Sequence, residues 1–282
     1  VPTTPRELAA LDPEYVLLGH AHFDHAADAV PIAQASGAAI VGLGEQCAEM
    51  ARRAAGLPPR CIEVLPGGAP TGRSARVELL PGVEVIAMKH LHSAVEPPDG
   101  EDGYHVPVLP TFSTTPLRHP PSPQTMAETV ARVPDAEGGS VLYRFEVGGT
   151  SFVWHDTSGP LKEQSPGTLD ALRTLRPVDV QLGAIQSFNQ FTNGMRDPRM
   201  YLEALRPATF VPTHHDDWAP GREVARGAPA EPAGARGDVD VLRDAELPPR
   251  LLDVVAVRIR RGRDARCFND RPAEVAPPLP WR

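Results

Sequence analysis

Apolar positions along this chain follow two spacings that replace one another in order. Residues 15–19 (YVLLG) form a short apolar run of the kind a buried strand shows, and residues 27–36 (ADAVPIAQAS) read as a helix that Gly37 closes. Residues 38–43 (AAIVGL) predict a second strand, 45–56 (EQCAEMARRAAG) a helix with arginines in its last turn, and 61–65 (CIEVL) a third strand. This β-α-β-α-β alternation predicts an α/β fold. Residues 76–92 then predict two strands around Pro81-Gly82, and 141–156 (VLYRFEVGGTSFVWHD) a hairpin whose turn is Gly148-Gly149. Beyond it, 167–177 reads as a helix stopped by proline, 178–185 as a strand, 197–207 as a second proline-stopped helix, and 208–212 as a strand leading to His214. The apolar runs repeatedly end in histidine or aspartate.

Two stretches break the alternation. Residues 94–139 are rich in proline with few periodic apolar positions, and predict a long loop inserted over the substrate site. Residues 219–237 are of low complexity and predict a flexible segment. No internal repeat of fixed period is visible, so residues 1–282 are expected to form one domain.

Composition narrows the function. Apolar residues make up 41% and charged residues 23%, an ordinary globular balance. The longest apolar runs fall well short of the roughly 18–20 residues a membrane helix needs. With 28 basic and 36 acidic residues the net charge is −8, which disfavours a nucleic-acid partner and leaves a small molecule as the expected substrate. Cys47, Cys61 and Cys267 form no CxxC pair and are odd in number, so neither a disulfide framework nor a cysteine zinc module is expected, and Cys47 reads as a buried apolar residue of its helix. A reducing, cytoplasmic setting is the default, with a targeting segment removed ahead of Val1 as the alternative.

The chemistry concentrates in one hexad, His20-Ala21-His22-Phe23-Asp24-His25, directly after the first strand. Four side chains able to bind a metal within six residues are hard to explain by packing, and a chain turning out of a strand can aim them at one point. No GxSxG nucleophile, P-loop or GxGxxG is present.

The hexad has the form His-x-His-x-Asp-His and resembles the signature of the metallo-β-lactamase superfamily. Later residues follow that family's order: His92 in KHLHS, Asp156 in FVWHDTSG and His214 in FVPTHHDD. The resemblance implies an αββα four-layer sandwich. It assigns His20, His22 and His92 to one divalent ion, Asp24, His25 and His214 to a second, and Asp156 to a bridge between them. Zinc is the first choice of metal, with iron or manganese as alternatives. His90 shares a strand with His92 and competes with it; His92 is preferred as the strand-end residue followed by serine. His215 competes with His214, which fits the Pro-x-His spacing after Pro212. His155 is expected to face away from the site, and His105 and His119 lie in the insertion. Two to three strands precede the signature in the family but only 19 residues precede His20, so a missing N-terminal segment is expected.

The implied chemistry is hydrolysis. Two divalent ions about 3.5–4 Å apart can share one hydroxide, which attacks a small-molecule ester, lactone, amide or phosphodiester. Asp24 and Asp156 are the catalytic carboxylates, Asp24 orienting the attacking water. The layout after Asp156 looks similar to the lactonase and phosphodiesterase branches. A di-iron redox enzyme and a non-catalytic metal-binding module are the alternatives. Tyr104, Phe188, Asn189 and Trp218 are the expected substrate contacts, with Phe112, Phe191 and Gln190 as further candidates, while Asn193-Gly194 reads as a turn.

Overall fold

A computed structural model describes residues 4–94, 122–185 and 192–214. Helix α1 (Pro5–Ala9) opens the described chain, started by a capping box in which Thr4 and Glu7 satisfy each other's backbone N–H groups. Strand β1 (Tyr15–Leu17) is followed by the one-turn helix α2 (Phe23–Ala26) and by α3 (Ala29–Ser36), which ends at Gly37 with φ 77°. Strand β2 (Ala39–Leu43), helix α4 (Gly44–Arg53) and strand β3 (Cys61–Leu65) complete a parallel three-stranded sheet of order β1-β2-β3. Strand β2 is central and wholly buried. Its Ile40 packs with Val30 of α3 and Met50 of α4, while Val41 and Leu43 face the opposite side.

The second sheet has six strands in sequence order: β4 (Ser74–Leu80), β5 (Val83–His90), β6 (Ser140–Val147), β7 (Thr150–His155), β8 (Val180–Ala184) and β9 (Thr209–Thr213). β4 to β7 pair antiparallel, and β7, β8 and β9 parallel. Four further helices, α5 (Pro123–Arg132), α6 (Leu161–Gln164), α7 (Gly167–Arg173) and α8 (Arg196–Leu205), and a 3₁₀ turn at Thr192–Met195 accompany it. Side chains alternate across this sheet as the strand period demands. Val85, Ala87, Val141 and Tyr143 meet Val41, Leu43, Val64 and Leu65 of the first sheet, whereas Met88, Leu142 and Val153 pack under Leu161, Leu172, Tyr201 and Leu205. Strands β5, β7, β8 and β9 run in one direction, so their carboxyl ends gather at one edge, where open α/β sheets place their sites.

The predicted strands and turns reappear with shifts of a few residues, and three expectations change. Cys47 and Cys61 are joined by a disulfide with Cα atoms 5.7 Å apart, contrary to the expectation of unpaired cysteines and of an apolar role for Cys47. An odd count guarantees one unpaired cysteine and forbids no pair. Helix α4 folds back on the sheet, so its buried face reaches the first residue of β3, and the premise for a reducing compartment falls with it. The described end of the 94–139 stretch is not loop throughout, because α5 occupies Pro123–Arg132, started by Ser122-Pro123. Its Met126 and Val130 are exposed, so no core-facing stripe betrayed it. The motif itself contains a helical turn, α2, ahead of the predicted helix. Among the described residues no helix is long and apolar enough to cross a membrane.

Candidate metal centre

The hexad is fixed by a relay of backbone hydrogen bonds just ahead of it. Tyr143, buried between the sheets, reaches the Leu18 carbonyl at 2.8 Å, and the Val141 N–H donates to the Gly19 carbonyl at 2.8 Å. Gln46, fully buried at the start of α4, accepts from the Leu43 N–H and donates to the carbonyls of Gly19 and Gly139 at 3.0 and 2.8 Å. The Ala21 N–H donates to the Glu137 carbonyl at 2.7 Å, and Arg53, ion-paired with Glu49, donates to the Ala21 carbonyl. The carbonyls of Leu18, Gly19 and Ala21 and the Ala21 N–H thus all have partners. Within the hexad, His20 and His22 are alternate residues of extended chain on one side, and Asp24 and His25 then follow on the turn of α2.

Seven side chains from four parts of the chain converge there. His20, His22 and His92 form one group of possible ligands, His20, His25 and Asp156 a second, and Asp24, His25 and His214 a third, with the ligand atoms of each group within 4.8 Å of one another. Asp156 is the hinge of the cluster. Its Oδ2 accepts from the His20 N–H at 3.2 Å, from His20 Nδ1 at 3.0 Å and from His25 Nδ1 at 3.0 Å. Because an ionised carboxylate only accepts, both Nδ1 atoms carry hydrogens, which turns the Nε2 lone pairs outward. His25 Nε2 lies 2.7 Å from His214 Nε2, with the rings stacked 4.6 Å apart. His214 takes a left-handed φ of 54°, a conformation few non-glycine residues adopt and one that concentrates at functional sites.

The electrostatics favour a cation. Burial lowers the imidazole pKa of His20, His22, His92 and His214, leaving them neutral near neutral pH, the form in which an imidazole can bind a metal. Burial opposes ionisation of Asp156 too, but the charges and hydrogen bonds of His20 and His25 outweigh it and hold the carboxyl far below its usual range. For His25 burial is likewise overcome, here by the Asp156 hydrogen bond and charge, and its pKa rises. His20 Nε2 and Asp156 Oδ1 are buried without a hydrogen-bond partner, although such atoms are nearly always satisfied. A nitrogen lone pair and an anionic oxygen left bare in one cluster fit a divalent ion held by histidine and carboxylate.

His90 and His92 do not share a face, contrary to the expectation from their spacing. β5 ends at His90, which points under the sheet to the Tyr201 hydroxyl, 2.9 Å from its Nδ1; the chain then turns and brings His92 to the cluster. His155 packs away from the cluster against Tyr201, as its neighbour Asp156 turns in. Burial holds both below the usual histidine range, His90 at about 3 and His155 at about 4. Asn193 sits in the 3₁₀ turn with φ 45° and bonds Asp197, a turn role. Tyr104, His105, Phe112, His119, Phe188, Asn189, Gln190, Phe191, His215, Trp218 and the 219–237 segment lie outside the described residues. Sequence reasoning missed Gly19, Gln46, Arg53 and Tyr201, which place the cluster without belonging to it. Only Gly19, wedged between an apolar run and a histidine, carried a readable sign.

The family model described as the metallo-β-lactamase superfamily matches residues 4–161. Two curated relatives from Pyrobaculum calidifontis and Pyrobaculum neutrophilum, each named a UPF0173 metal-dependent hydrolase, are 27% and 28% identical over 215 residues, covering 76% of this chain and 71% of theirs. A solved metallo hydrolase from the hyperthermophilic archaeon Ignicoccus hospitalis is similar over 75% of this chain and 68% of that one, at 17% identity and a TM-score of 0.44.

Proposed function

This chain belongs to the metallo-β-lactamase superfamily, and from the geometry of its histidine–aspartate cluster we propose that it is a metal-dependent hydrolase with a dinuclear zinc centre acting on a small-molecule ester, lactone, amide or phosphodiester. His20, His22 and His92 would hold one ion and Asp24, His25 and His214 the other, with Asp156 placed to serve both. The observation that carries this reading is the convergence of seven histidine and aspartate side chains in three overlapping groups whose ligand atoms lie within 4.8 Å of one another, with His20 Nε2 and Asp156 Oδ1 among them buried and unpartnered. The naming of curated relatives as metal-dependent hydrolases agrees with it. When bound, the ions supply a water of lowered pKa and a Lewis acid for the substrate oxygen. The chain's own residues do the rest. Asp156 holds the Nδ1 hydrogens of His20 and His25 by accepting at Oδ2, so that Nε2 is the nitrogen each would offer to a metal. Asp24, the most exposed member of the set, accepts a hydrogen bond from the attacking water at a carboxylate oxygen and aims it.

Elemental analysis of the purified protein, paired with hydrolysis of generic ester, lactone and phosphodiester substrates before and after chelation, tests the proposal. Two equivalents of zinc and hydrolysis that disappears with the metal and returns with it are expected. Folded protein with less than about 0.2 equivalents of any transition metal after zinc dialysis, against the tight binding such ligand sets give, overturns it.

A further inference from the structure

We infer that the Tyr201 hydroxyl is a positioning group that sets, from beneath the second sheet, the spacing between the loop bearing His92 and the loop bearing Asp156. Tyr201 sits on α8, fully buried, outside the ligand cluster. Its ring stacks on His155 at 5.0 Å and meets His90 edge-on at 5.7 Å, so it touches the residue before Asp156 and the residue two before His92. Its oxygen accepts the Gly159 N–H at 3.3 Å and lies 2.9 Å from His90 Nδ1. One phenol oxygen is therefore shared by His90, which ends the strand ahead of His92, and by the turn that follows Asp156.

The hydroxyl oxygen accepts the Gly159 N–H and keeps its own hydrogen, which it can donate to His90 Nδ1, 2.9 Å away. The two loops are held at contact distance. A Cβ on Gly159 would stand 2.3 Å from Leu91 Cβ and 2.6 Å from the His92 carbonyl. Nearer the cluster the same loops are stitched again, the Ser93 N–H donating to Thr157 Oγ1 at 2.7 Å and the Ser158 N–H to Ser93 Oγ at 3.2 Å. His92 and Asp156 belong to different ligand groups that share His20, so their separation governs whether both groups can close on their ions at once. Outer partners of this kind tune metal affinity without touching the metal.

The inference rests on the metal-centre reading, and the test separates the two. Zinc affinity is measured by competition with a chromophoric chelator, and the visible spectrum of the cobalt-substituted protein is recorded, for wild type and Tyr201→Phe, which keeps the stacked ring and removes the oxygen. The expected result is zinc binding weakened about 10- to 100-fold and an altered cobalt spectrum. His90→Leu, which removes the acceptor, should behave like Tyr201→Phe, while His90→Asn, which offers an amide oxygen in its place, should restore affinity. A lowered unfolding midpoint with unchanged zinc affinity and cobalt spectrum in both Tyr201→Phe and His90→Leu overturns the positioning role. Wild-type protein that binds no zinc overturns the metal-centre reading instead. If Tyr201→Phe does not fold, the two His90 variants decide alone.

Discussion

The tightest contact in the cluster involves no ligand side chain as donor but a missing one. A Cβ built on Gly19 would stand 2.1 Å from Asp156 Cγ, 2.1 Å from Oδ1 and 2.3 Å from Oδ2. Gly19→Ala must therefore push the carboxylate away by more than about 1 Å to reach ordinary van der Waals contact. Metal–ligand distances tolerate about 0.2 Å, so on the proposed reading the displaced carboxylate could no longer serve as a shared ligand. The same movement breaks the three hydrogen bonds that Oδ2 receives from His20 and His25. Charge-assisted bonds contribute about 1.5–3 kcal/mol each, and they are lost together rather than additively, so metal-free Gly19→Ala should be destabilised by about 2–4 kcal/mol. The assay is zinc content and affinity alongside urea unfolding in chelator. Gly167→Ala, at a helical glycine whose Cβ meets nothing within 4 Å, is the control and should match or slightly exceed wild type in stability. If Gly19→Ala binds two equivalents of zinc with unchanged affinity, the reading of Asp156 as the shared ligand is wrong.

Three further outcomes are expected. Asp24→Asn should lower kcat by about 10²- to 10⁴-fold, the range for a lost proton-handling group, and should weaken one zinc ion selectively, read by metal titration and steady-state kinetics. The hydrogen bonds of Arg52 and the pairing with Arg53 hold the Glu49 carboxyl at about 2 from an ordinary 4.5, burial opposing them. A depressed carboxyl stabilises the fold fully above pH about 4.5 and loses that contribution as pH falls towards 2. With Arg52 largely in solvent this amounts to about 1–2 kcal/mol, so Glu49→Gln should be less stable by that much at pH 7, with the gap to wild type narrowing below pH 4.5 in unfolding curves. His25 has the opposite sign. Its raised pKa stabilises metal-free protein at low pH and is lost as pH rises through it, so zinc must displace that proton. Calorimetry in buffers of different ionisation enthalpy should record proton release on zinc binding that diminishes as pH is raised, and release independent of pH would contradict the His25 assignment.

What the sequence disclosed and what it hid divide along a physical line. Strand β2 and the hairpin turn at Gly148-Gly149 were legible because their signals are local: five consecutive buried residues in one, two left-handed glycines in the other. The hexad was legible because ligand chemistry has few other uses for such a cluster of histidines and aspartate. Helix α5 was hidden because its apolar residues face solvent, which removes the periodic stripe that tertiary packing imposes. The disulfide was hidden because a pair between α4 and β3 depends on how the crossover folds back.

The difference between His90 and His92 shows why the supporting residues were out of reach. Two residues of one strand share a face only while the strand lasts, and β5 ends at His90. What ends it is not in the local sequence. The Gly72 N–H pairs with the Lys89 carbonyl, the Lys89 N–H with the Arg73 carbonyl, and beyond them the edge partner is exhausted, so the chain is free to turn where Tyr201 and Gly159 receive it. Those two residues lie more than 60 positions downstream and read individually as an ordinary helix tyrosine and an ordinary loop glycine. A ligand can be recognised by its own chemistry, whereas a group that positions a ligand is defined only by what it touches. Substitutions that spare all seven proposed ligands but alter Gly19, Gln46 or Tyr201 should therefore disturb the centre more than their sequence suggests.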